Sequence, residues 1–278
     1  MVLNSYSKIN LSLNVNSKLE SGLHEIQSYF CLINLSDKIK INKIKSKKDK
    51  IIFRGPFAKY IKNSDNSIVK VLNLLRKSKL ISSYYSLTVT KNIPVFGGLG
   101  GGTSNAASVL RFLLKKRIDK FFYKKFVKLI GTDLRLFFYK QGFLENLKTI
   151  RNIKKKQKLI FLLTRPNINC STREIYSKVR KYSKKNKYSF YAINTKSKFI
   201  NHILSKKNEL ELIVEKKYPI IKKLLLDINN EKGCYFSRMS GSGSVCYGLF
   251  NNEISAKKAL KKIKTKYPKF WFSIAKTV

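Results

Sequence analysis

The chain has 278 residues, 43% of them hydrophobic, and 59 Lys and Arg residues against 15 Asp and Glu give a formal net charge of +44. That hydrophobic content excludes a disordered polycation, and the length allows one large or two ordinary domains. The basic residues are mainly Lys and are spread along the whole chain, together with the abundant Asn and Ile that an AT bias in coding DNA produces. The charge therefore does not by itself indicate a nucleic-acid-binding protein, although non-specific attraction to polyanions is expected.

The cysteines and the N-terminus narrow the class of protein further. The four cysteines have no spacing typical of a metal site or a disulfide framework, and there are only two histidines. The first residues lack the basic and apolar regions of a signal peptide, and no apolar run approaches the length of a membrane span. We therefore predict a cytoplasmic protein with no membrane partner, no zinc site and no disulfide framework.

The first predicted strand runs from Tyr6 to Val15, because apolar residues occupy every second position and leave Lys8 and Asn10 on the other face. A strand that places a lysine and an asparagine side by side is a candidate wall of a site. Alternation, helical spacing and capping residues predict further strands over 32–43, 85–90, 159–163 and 271–275, and helices over 68–75, 121–129, 196–218, 219–229 and 255–267. The Lys-rich stretch 146–158 has no periodicity and is the best candidate for a linker.

Five of the 13 glycines fall between Gly97 and Gly102, in a loop that begins at Pro94. A predicted strand precedes this loop, and an amphipathic helix follows it, with Thr103, Ser104 or Asn105 as its expected cap. The N–H groups at a helix N-terminus and the positive end of its dipole bind anions. The loop therefore predicts a site for the phosphates of a nucleotide.

Two better-known phosphate loops are excluded at this segment. No Lys follows the last glycine, as a P-loop requires, and the third glycine of the dinucleotide fingerprint is missing. The simpler interpretation is a flexible turn, but an ordinary connection needs one or two glycines and not five.

Later in the chain, two short apolar strands are predicted on either side of Ser240-Gly-Ser-Gly-Ser244. Loosely alternating strands and helices indicate an α+β protein.

Three motifs, Ser7-Lys-Ile-Asn-Leu11, the glycine loop and Ser240-Gly-Ser-Gly-Ser244, stand in the order of the GHMP small-molecule kinase superfamily, which the chain resembles from end to end. With Gly22-Leu-His24-Glu, the resemblance is closest to the family that phosphorylates the 2-hydroxyl of 4-diphosphocytidyl-2-C-methyl-D-erythritol, in the methylerythritol phosphate pathway to isoprenoid precursors. It implies two domains. An ATP-binding, ribosomal protein S5 domain 2-like domain would span residues 1–150, and a ferredoxin-like substrate domain residues 151–278.

The same resemblance implies roles for individual residues. Asp133 would be the base that accepts the hydroxyl proton, and Lys8 would orient it and stabilise charge on the attacking oxygen. Without the resemblance, a capping aspartate and a solvated strand lysine are the simpler interpretations. The implied ATP-binding residues are Asn66, Lys91, Pro94, Gly97, Gly98, Leu99, Gly100, Gly101, Gly102, Thr103 and Ser104, and the implied substrate-binding residues are Asn10, His24, Thr172, Tyr176, Gly241 and Ser242. ATP and Mg²⁺ are the implied cofactors, with His24 at the cytosine edge and Tyr176 stacked on its face.

The chain departs from the family pattern at two single positions, and Asn-Leu-Lys replaces the family's glycine-containing turn after Glu145. Leu23 stands where the family has Tyr, which removes one side of the expected aromatic clamp on cytosine, and Arg135 stands where a Pro is usual. One alternative is another GHMP kinase, for mevalonate, phosphomevalonate or homoserine, against which His24 is the discriminating residue. The other is a basic RNA-associated protein. The resemblance favours a small-molecule partner, no specific nucleic acid, and a monomer or homodimer.

Overall fold

The computed structural model describes residues 1–115, 120–186 and 195–278, with only the backbone of residues 120–123, and the chain forms two compact units. Unit 1 comprises Met1–Lys8, Leu35–Val95 and Gly100–Phe138, and unit 2 comprises Ile9–Asn34, Phe96–Leu99 and Tyr139–Val278. The predicted division of the chain into domains at residue 150 stays a prediction.

Unit 1 contains the second half of the long strand β3 (His24–Ile44), which pairs antiparallel with β5 (Tyr84–Thr90). Strand β5 also pairs in parallel with β4 (Lys50–Arg54). The alternation that predicted these strands corresponds to burial, because the side chains of one face lie in the core: Ile39, Ile41, Leu87 and Val89. The predicted strand over 32–43 thus exists, but it begins earlier, at His24.

The helices of unit 1 are α1 (Ser67–Lys77), α2 (Gly101–Leu114) and α3 (Lys120–Ile130). Asn66 caps α1, because its Oδ1 accepts the N–H groups of Ile68 at 3.0 Å and Val69 at 3.1 Å. The predicted cap of α2 at Thr103, Ser104 or Asn105 was wrong. Gly100 is the N-cap, no side chain caps this helix, and the three predicted residues lie inside the helix that Gly101 begins.

The predicted strand from Tyr6 to Val15 is two strands, β1 (Val2–Asn10) and β2 (Asn14–Lys18). Between them the backbone turns to other partners, since Leu11 donates its N–H to the carbonyl of Tyr29 at 2.7 Å and Leu13 donates to that of Lys207 at 2.9 Å. Lys8 and Asn10 are also buried. The face predicted to be polar is therefore not a solvated one.

Unit 2 contains a four-stranded antiparallel sheet of β8 (Ile160–Arg165), β9 (Cys234–Met239), β10 (Cys246–Phe250) and β11 (Trp271–Lys276). The order of the strands in the sheet is β11-β8-β10-β9. The helices of this unit are α4 (Thr172–Ser177), α5 (Lys196–Leu204), α6 (Glu211–Lys217), α7 (Pro219–Asn229) and α8 (Glu253–Lys266). Helices separate the first strand from the second and the third from the fourth, which is the ferredoxin-like order that was predicted.

Two predictions in the second half of the chain need correction. The stretch predicted as a linker contains β7 (Ile150–Asn152), which pairs with β6 (Gln141–Leu144). The single helix predicted over 196–218 is two helices, α5 and α6, because Asn208 stands between them and its Oδ1 accepts the N–H of Leu210 at 3.1 Å. Among the residues that the structure describes, no helix is both long and apolar enough to cross a membrane.

Candidate active site

Lys8 and Asp133 form an ion pair in unit 1, with 3.6 Å between Lys8 Nζ and Asp133 Oδ2. Lys8 lies on β1, and Asp133 is near the start of a 3₁₀ helix, Thr132–Phe138. The lysine side chain is 4% exposed and the aspartate side chain 38% exposed. Burial lowers the pKa of Lys8, and the neighbouring Asp133 acts against that shift. The pair therefore offers a carboxylate that solvent or a substrate can reach, held by a buried amine.

The N-terminus of α2 lies beside this pair. Ser104 donates its N–H to the carbonyl of Gly100 at 2.8 Å, so the N–H groups of the three preceding residues have no acceptor within the helix. Gly100 has a φ of 69°, and a Cβ placed on it would lie 2.7 Å from Cζ of Phe137 and 3.5 Å from Cε of Lys8. Glycine at this position thus lets the helix start next to the lysine.

A cavity of about 430 Å³ in unit 1 adjoins the same helix end. Apolar and polar groups line it together: Phe53, Tyr60, Ile61, Lys62, Asp65, Asn66, Ser67, Ile68, Lys91, Gly102, Thr103 and Asn105. Its volume is in the range of small-molecule sites. Ser67 Oγ donates to the carbonyl of Gly102 at 2.6 Å and so ties the start of α1 to the first turn of α2. The structure therefore brings together four residues predicted from the sequence: Asn66, Lys91, Gly102 and Thr103.

Two of the predicted ATP-binding residues of unit 1, Lys91 and Ser104, bond to protein groups. Lys91 is 2% exposed and forms an ion pair with Asp37, an acidic residue of β3 that the sequence analysis did not single out. Ser104 is also 2% exposed, and its Oγ donates to the carbonyl of Tyr6 at 2.5 Å. Of the two predicted hydroxyl groups, those of Thr103 and Ser104, it is Thr103 that lines the cavity. The scarcity of acidic residues in so basic a chain was the only signal in the sequence that could have pointed to Asp37.

In unit 2, the first part of the glycine loop packs against the serine-glycine loop between β9 and β10. Phe96 accepts the N–H of Ser244 at 3.2 Å, and Gly97 accepts that of Val245 at 3.2 Å. Gly98 has a φ of 71°, and a Cβ there would lie 2.1 Å from the carbonyl oxygen of Ser240. The two loops are thus in backbone contact, and only glycine fits at the closest point.

The other end of that loop is also held by predicted residues. Asn10 donates its backbone N–H to Ser240 Oγ at 3.2 Å. Thr172 Oγ1 and Ser242 Oγ share a hydrogen bond of 2.8 Å. Leu99, which precedes the second group of glycines in the glycine loop, is buried, with 1% of its surface exposed. The loop carries Gly241 between its two bonded serines. Unit 2 therefore brings several of the predicted substrate-binding residues into one network.

His24 lies in a cluster of aromatic rings in unit 2. Its ring centroid is 5.1 Å from that of Tyr176, with an interplanar angle of 35°, and 6.3 Å from that of Tyr182. Burial, and then the charge of Lys18, lower the pKa of His24 and so favour the neutral ring, which has one donor and one acceptor. Tyr182 is 45% exposed and was missed by the sequence analysis. Leu23, the departure from the family pattern, is also exposed.

Two family models match the chain, one in each half of the sequence. The GHMP kinases N terminal domain family matches residues 66–120, and the GHMP kinases C terminal family matches residues 196–269. The crystal structure of a 4-(cytidine 5'-diphospho)-2C-methyl-D-erythritol kinase superposes with a TM-score of 0.78 at 21% identity, over 99% of each chain. The Methanococcus jannaschii mevalonate kinase gives a TM-score of 0.65 at 14% identity, over 100% of this chain and 98% of that one.

Relatives that match nearly the whole chain identify the family within the GHMP kinases. The chain is 37% identical to the 4-diphosphocytidyl-2-C-methyl-D-erythritol kinase of Pelagibacter ubique (strain HTCC1062), over 99% of this chain and 98% of the relative. It is 32% identical to the enzyme of the same name from Wolbachia pipientis wMel, over 95% of this chain and 94% of that relative. The chain therefore belongs to the GHMP kinases and, within them, to the 4-diphosphocytidyl-2-C-methyl-D-erythritol kinase family.

Proposed function

We propose that this protein transfers the γ-phosphoryl group of ATP to the 2-hydroxyl of 4-diphosphocytidyl-2-C-methyl-D-erythritol, a step towards isoprenoid precursors. The observation that carries the proposal is the Lys8–Asp133 pair beside the N-terminus of α2. The names of the full-length relatives support this acceptor over mevalonate, phosphomevalonate or homoserine, and a kinase over an RNA-associated protein. A cytoplasmic location and a monomeric or homodimeric state stay predictions.

Phosphoryl transfer to an alcohol needs positioning, charge stabilisation and an acceptor for the hydroxyl proton. The exposed carboxylate of Asp133 would accept that proton while the oxygen attacks the γ-phosphorus and the bond to the β–γ bridging oxygen breaks. Lys8 would hold the carboxylate and stabilise negative charge that develops on the attacking oxygen. The 3.6 Å separation of the pair is compatible with both roles, and the 38% exposure of the Asp133 side chain leaves its carboxylate accessible to the acceptor.

ATP would occupy the cavity of unit 1 and the adjoining helix end. The N–H groups at the start of α2 would bind phosphate oxygens, with Gly101, Gly102 and the Thr103 hydroxyl as the nearest donors. The apolar side chains Phe53 and Ile68 would cover the base. Ser104 would act indirectly, because its hydroxyl already ties α2 to β1.

Mg²⁺ fits this donor set as an ion that arrives with ATP. Within residues 1–115, 120–186 and 195–278, no three His, Cys, Asp or Glu side chains are grouped so that they could hold a metal. Mg²⁺ commonly binds through one or two protein oxygens together with substrate phosphates and water. The Thr103 hydroxyl, which lines the cavity, would supply such an oxygen. The ion would neutralise charge on the phosphates during transfer.

The acceptor would be bound by the network of unit 2. The neutral ring of His24 has the donor and the acceptor needed for the edge of cytosine, and Tyr176 offers a face for stacking. Thr172 and Ser242 would donate to the diphosphate. Asn10 would contact the methylerythritol part.

The experiment compares ADP release with and without the diphosphocytidyl acceptor, in the wild type and in Asp133→Asn. We expect acceptor-dependent turnover in the wild type and a loss of about 10²- to 10⁴-fold in the variant, which lacks the proton acceptor. The unfolding midpoint should fall only slightly, because the Asp133 side chain is 38% exposed and asparagine keeps an oxygen that can accept from the buried Lys8. Asp227→Asn, at an ion pair with Lys266 in unit 2, is the control and should keep wild-type turnover. Acceptor-independent turnover in the wild type would contradict the proposed reaction, and full activity of Asp133→Asn would contradict the proposed base.

A further inference from the structure

Asp37 is a fully buried carboxylate in unit 1, with 0% of its surface exposed. Its Oδ2 accepts a hydrogen bond from the ammonium of Lys91. Its Oδ1 accepts the backbone N–H groups of Asn92 at 2.8 Å and Ile93 at 2.9 Å. Both oxygens of one side chain are therefore committed to three consecutive residues.

The position of Asp37 explains this pattern. The antiparallel pairing of β3 with β5 ends at Lys38 opposite Thr90, and Asp37 is the residue of β3 immediately before Lys38. Beyond that end, the carboxylate takes the place of a main-chain acceptor for Asn92 and Ile93. Asn92 also donates its side-chain amide to the carbonyl of Ser36 at 3.0 Å. The chain that enters the glycine loop is thus fixed by Asp37 and its neighbour.

The three residues held by Asp37 lead to the nucleotide cavity. Lys91 lines it, and its Nζ lies 3.4 Å from the place that a Cβ on Gly101 would take. A Cγ2 of Ile93 lies 3.0 Å from the same place, so Ile93 packs against the first residue of α2. A lysine ammonium has three N–H donors, so the bond to Asp37 does not exhaust it.

We propose that Asp37 is a positioning residue for ATP, which acts by fixing the Lys91 ammonium at the cavity and the backbone that joins β5 to the glycine loop. This inference rests on the proposed binding of ATP in unit 1. Asp37 touches no substrate itself. The part of its contribution that acts through the Lys91 ammonium is therefore lost when Lys91 is removed, whereas an asparagine at position 37 keeps an oxygen for the backbone N–H groups of Asn92 and Ile93.

The test measures ATP affinity by calorimetry without acceptor, together with the KM values for ATP and for the acceptor, in Asp37→Asn, Lys91→Met and the double variant. Since one charged hydrogen bond is at stake, we expect the Kd and KM for ATP to rise about tenfold or more in each, and by similar factors in all three. The KM for the acceptor should stay within about twofold. The double variant removes both charges, so its unfolding midpoint should recover from that of Asp37→Asn, while its ATP affinity should not.

Asp49 and Arg76 provide a matched control pair in the same unit. Asp49 accepts the N–H of Tyr85 at 2.8 Å, near the other end of β5, and pairs with Arg76 at 3.0 Å, but neither lines the cavity. Asp49→Asn should lower the unfolding midpoint and leave ATP affinity unchanged. If Asp37→Asn does not fold, Asp37→Glu keeps the charge but moves the carboxylate, and it should weaken ATP binding.

Three outcomes would overturn the inference: wild-type ATP affinity in Asp37→Asn or Asp37→Glu, additive effects in the double variant, or an equal loss of ATP affinity in Asp49→Asn. A wild-type protein that binds no ATP would instead contradict the proposed function. The two failures are therefore distinguishable in the same titration.

Discussion

Glu211 is a carboxylate whose protonation state the fold changes strongly. It is the first residue of α6, and its Oε2 accepts the backbone N–H of Met239 at 2.6 Å, just before the serine-glycine loop. Burial raises the pKa of Glu211 to about 7, against the smaller opposite effects of the Met239 N–H and Arg238, and Glu215 adds to the rise. Its side chain is therefore partly protonated at neutral pH and still holds the end of β9.

This shift predicts how stability depends on pH. The unfolded carboxyl has a pKa of 4.5 and the folded one about 7, so the folded state binds more protons between these values. Stability should therefore fall as pH rises from 4.5 to about 7, by at most about 3 kcal/mol. Glu211→Gln keeps an oxygen for the Met239 N–H and does not titrate, so this part of the pH dependence should vanish. Urea unfolding at pH 5 and pH 8 measures it, with Glu253→Gln as an exposed control, and equal pH dependence in the wild type and Glu211→Gln would contradict the assignment.

Residues of the candidate site differed in how far the sequence could predict them. Lys8 and Asp133 were assigned only through the resemblance, because each alone has a simpler interpretation as a strand lysine or a capping aspartate. The importance of Asp37 and Tyr182 lies entirely in contacts with Lys91 and His24, which are distant in the sequence. Local pattern carries no information on such pairs, since they arise only when the fold brings the elements together.

At the scale of elements, predictions held where the determinants are local. Helix α7 was predicted with its observed bounds, Pro219 to Asn229, because proline is favourable in the first turn and the apolar stripe is regular. The prediction of one continuous strand from Tyr6 to Val15 was wrong because the chain is interrupted at Leu11, whose N–H donates to the carbonyl of Tyr29, a residue distant in the sequence. The predicted start of α2 was wrong because all the glycines were assigned to the loop, whereas Gly101 and Gly102 are helical.

The start of α2 yields a prediction for Gly100→Ala. The left-handed conformation costs an alanine about 1–2 kcal/mol, and the new Cβ would lie 2.7 Å from the buried ring of Phe137. Displacing that ring adds roughly 1–3 kcal/mol and disturbs Lys8, so kcat should fall as well. Gly22→Ala is the matched control, since Gly22 has a φ of 78° but no heavy atom within 4 Å of a new Cβ. Free energies of unfolding in urea test this, and equal losses in the two variants would show that the contact with Phe137 is harmless.

At the scale of the whole molecule, the dominant property is a net charge of +44. Only 15 acidic residues are available, and several of them form ion pairs with lysines or arginines, such as Asp227 with Lys266 and Glu253 with Lys257. Surface ion pairs of this kind contribute little to stability. The excess positive charge instead creates a long-range field that attracts anions, and both proposed substrates carry phosphate groups.

The field predicts that salt slows the capture of substrate and not the chemistry. Raising the ionic strength from about 0.01 M to about 1 M shortens the Debye length from about 30 Å to about 3 Å. We expect kcat/KM for ATP and for the acceptor to fall at least tenfold over this range, because electrostatic steering raises association rates by about 10- to 10³-fold. The value of kcat should change little, since the bound phosphates contact fixed donors at short range. Sucrose at matched osmolality is the control for non-ionic effects. A kcat/KM that is independent of salt would show that the charge lies too diffusely around the molecule to guide its substrates, and a parallel fall in kcat would show that salt acts on the bound complex.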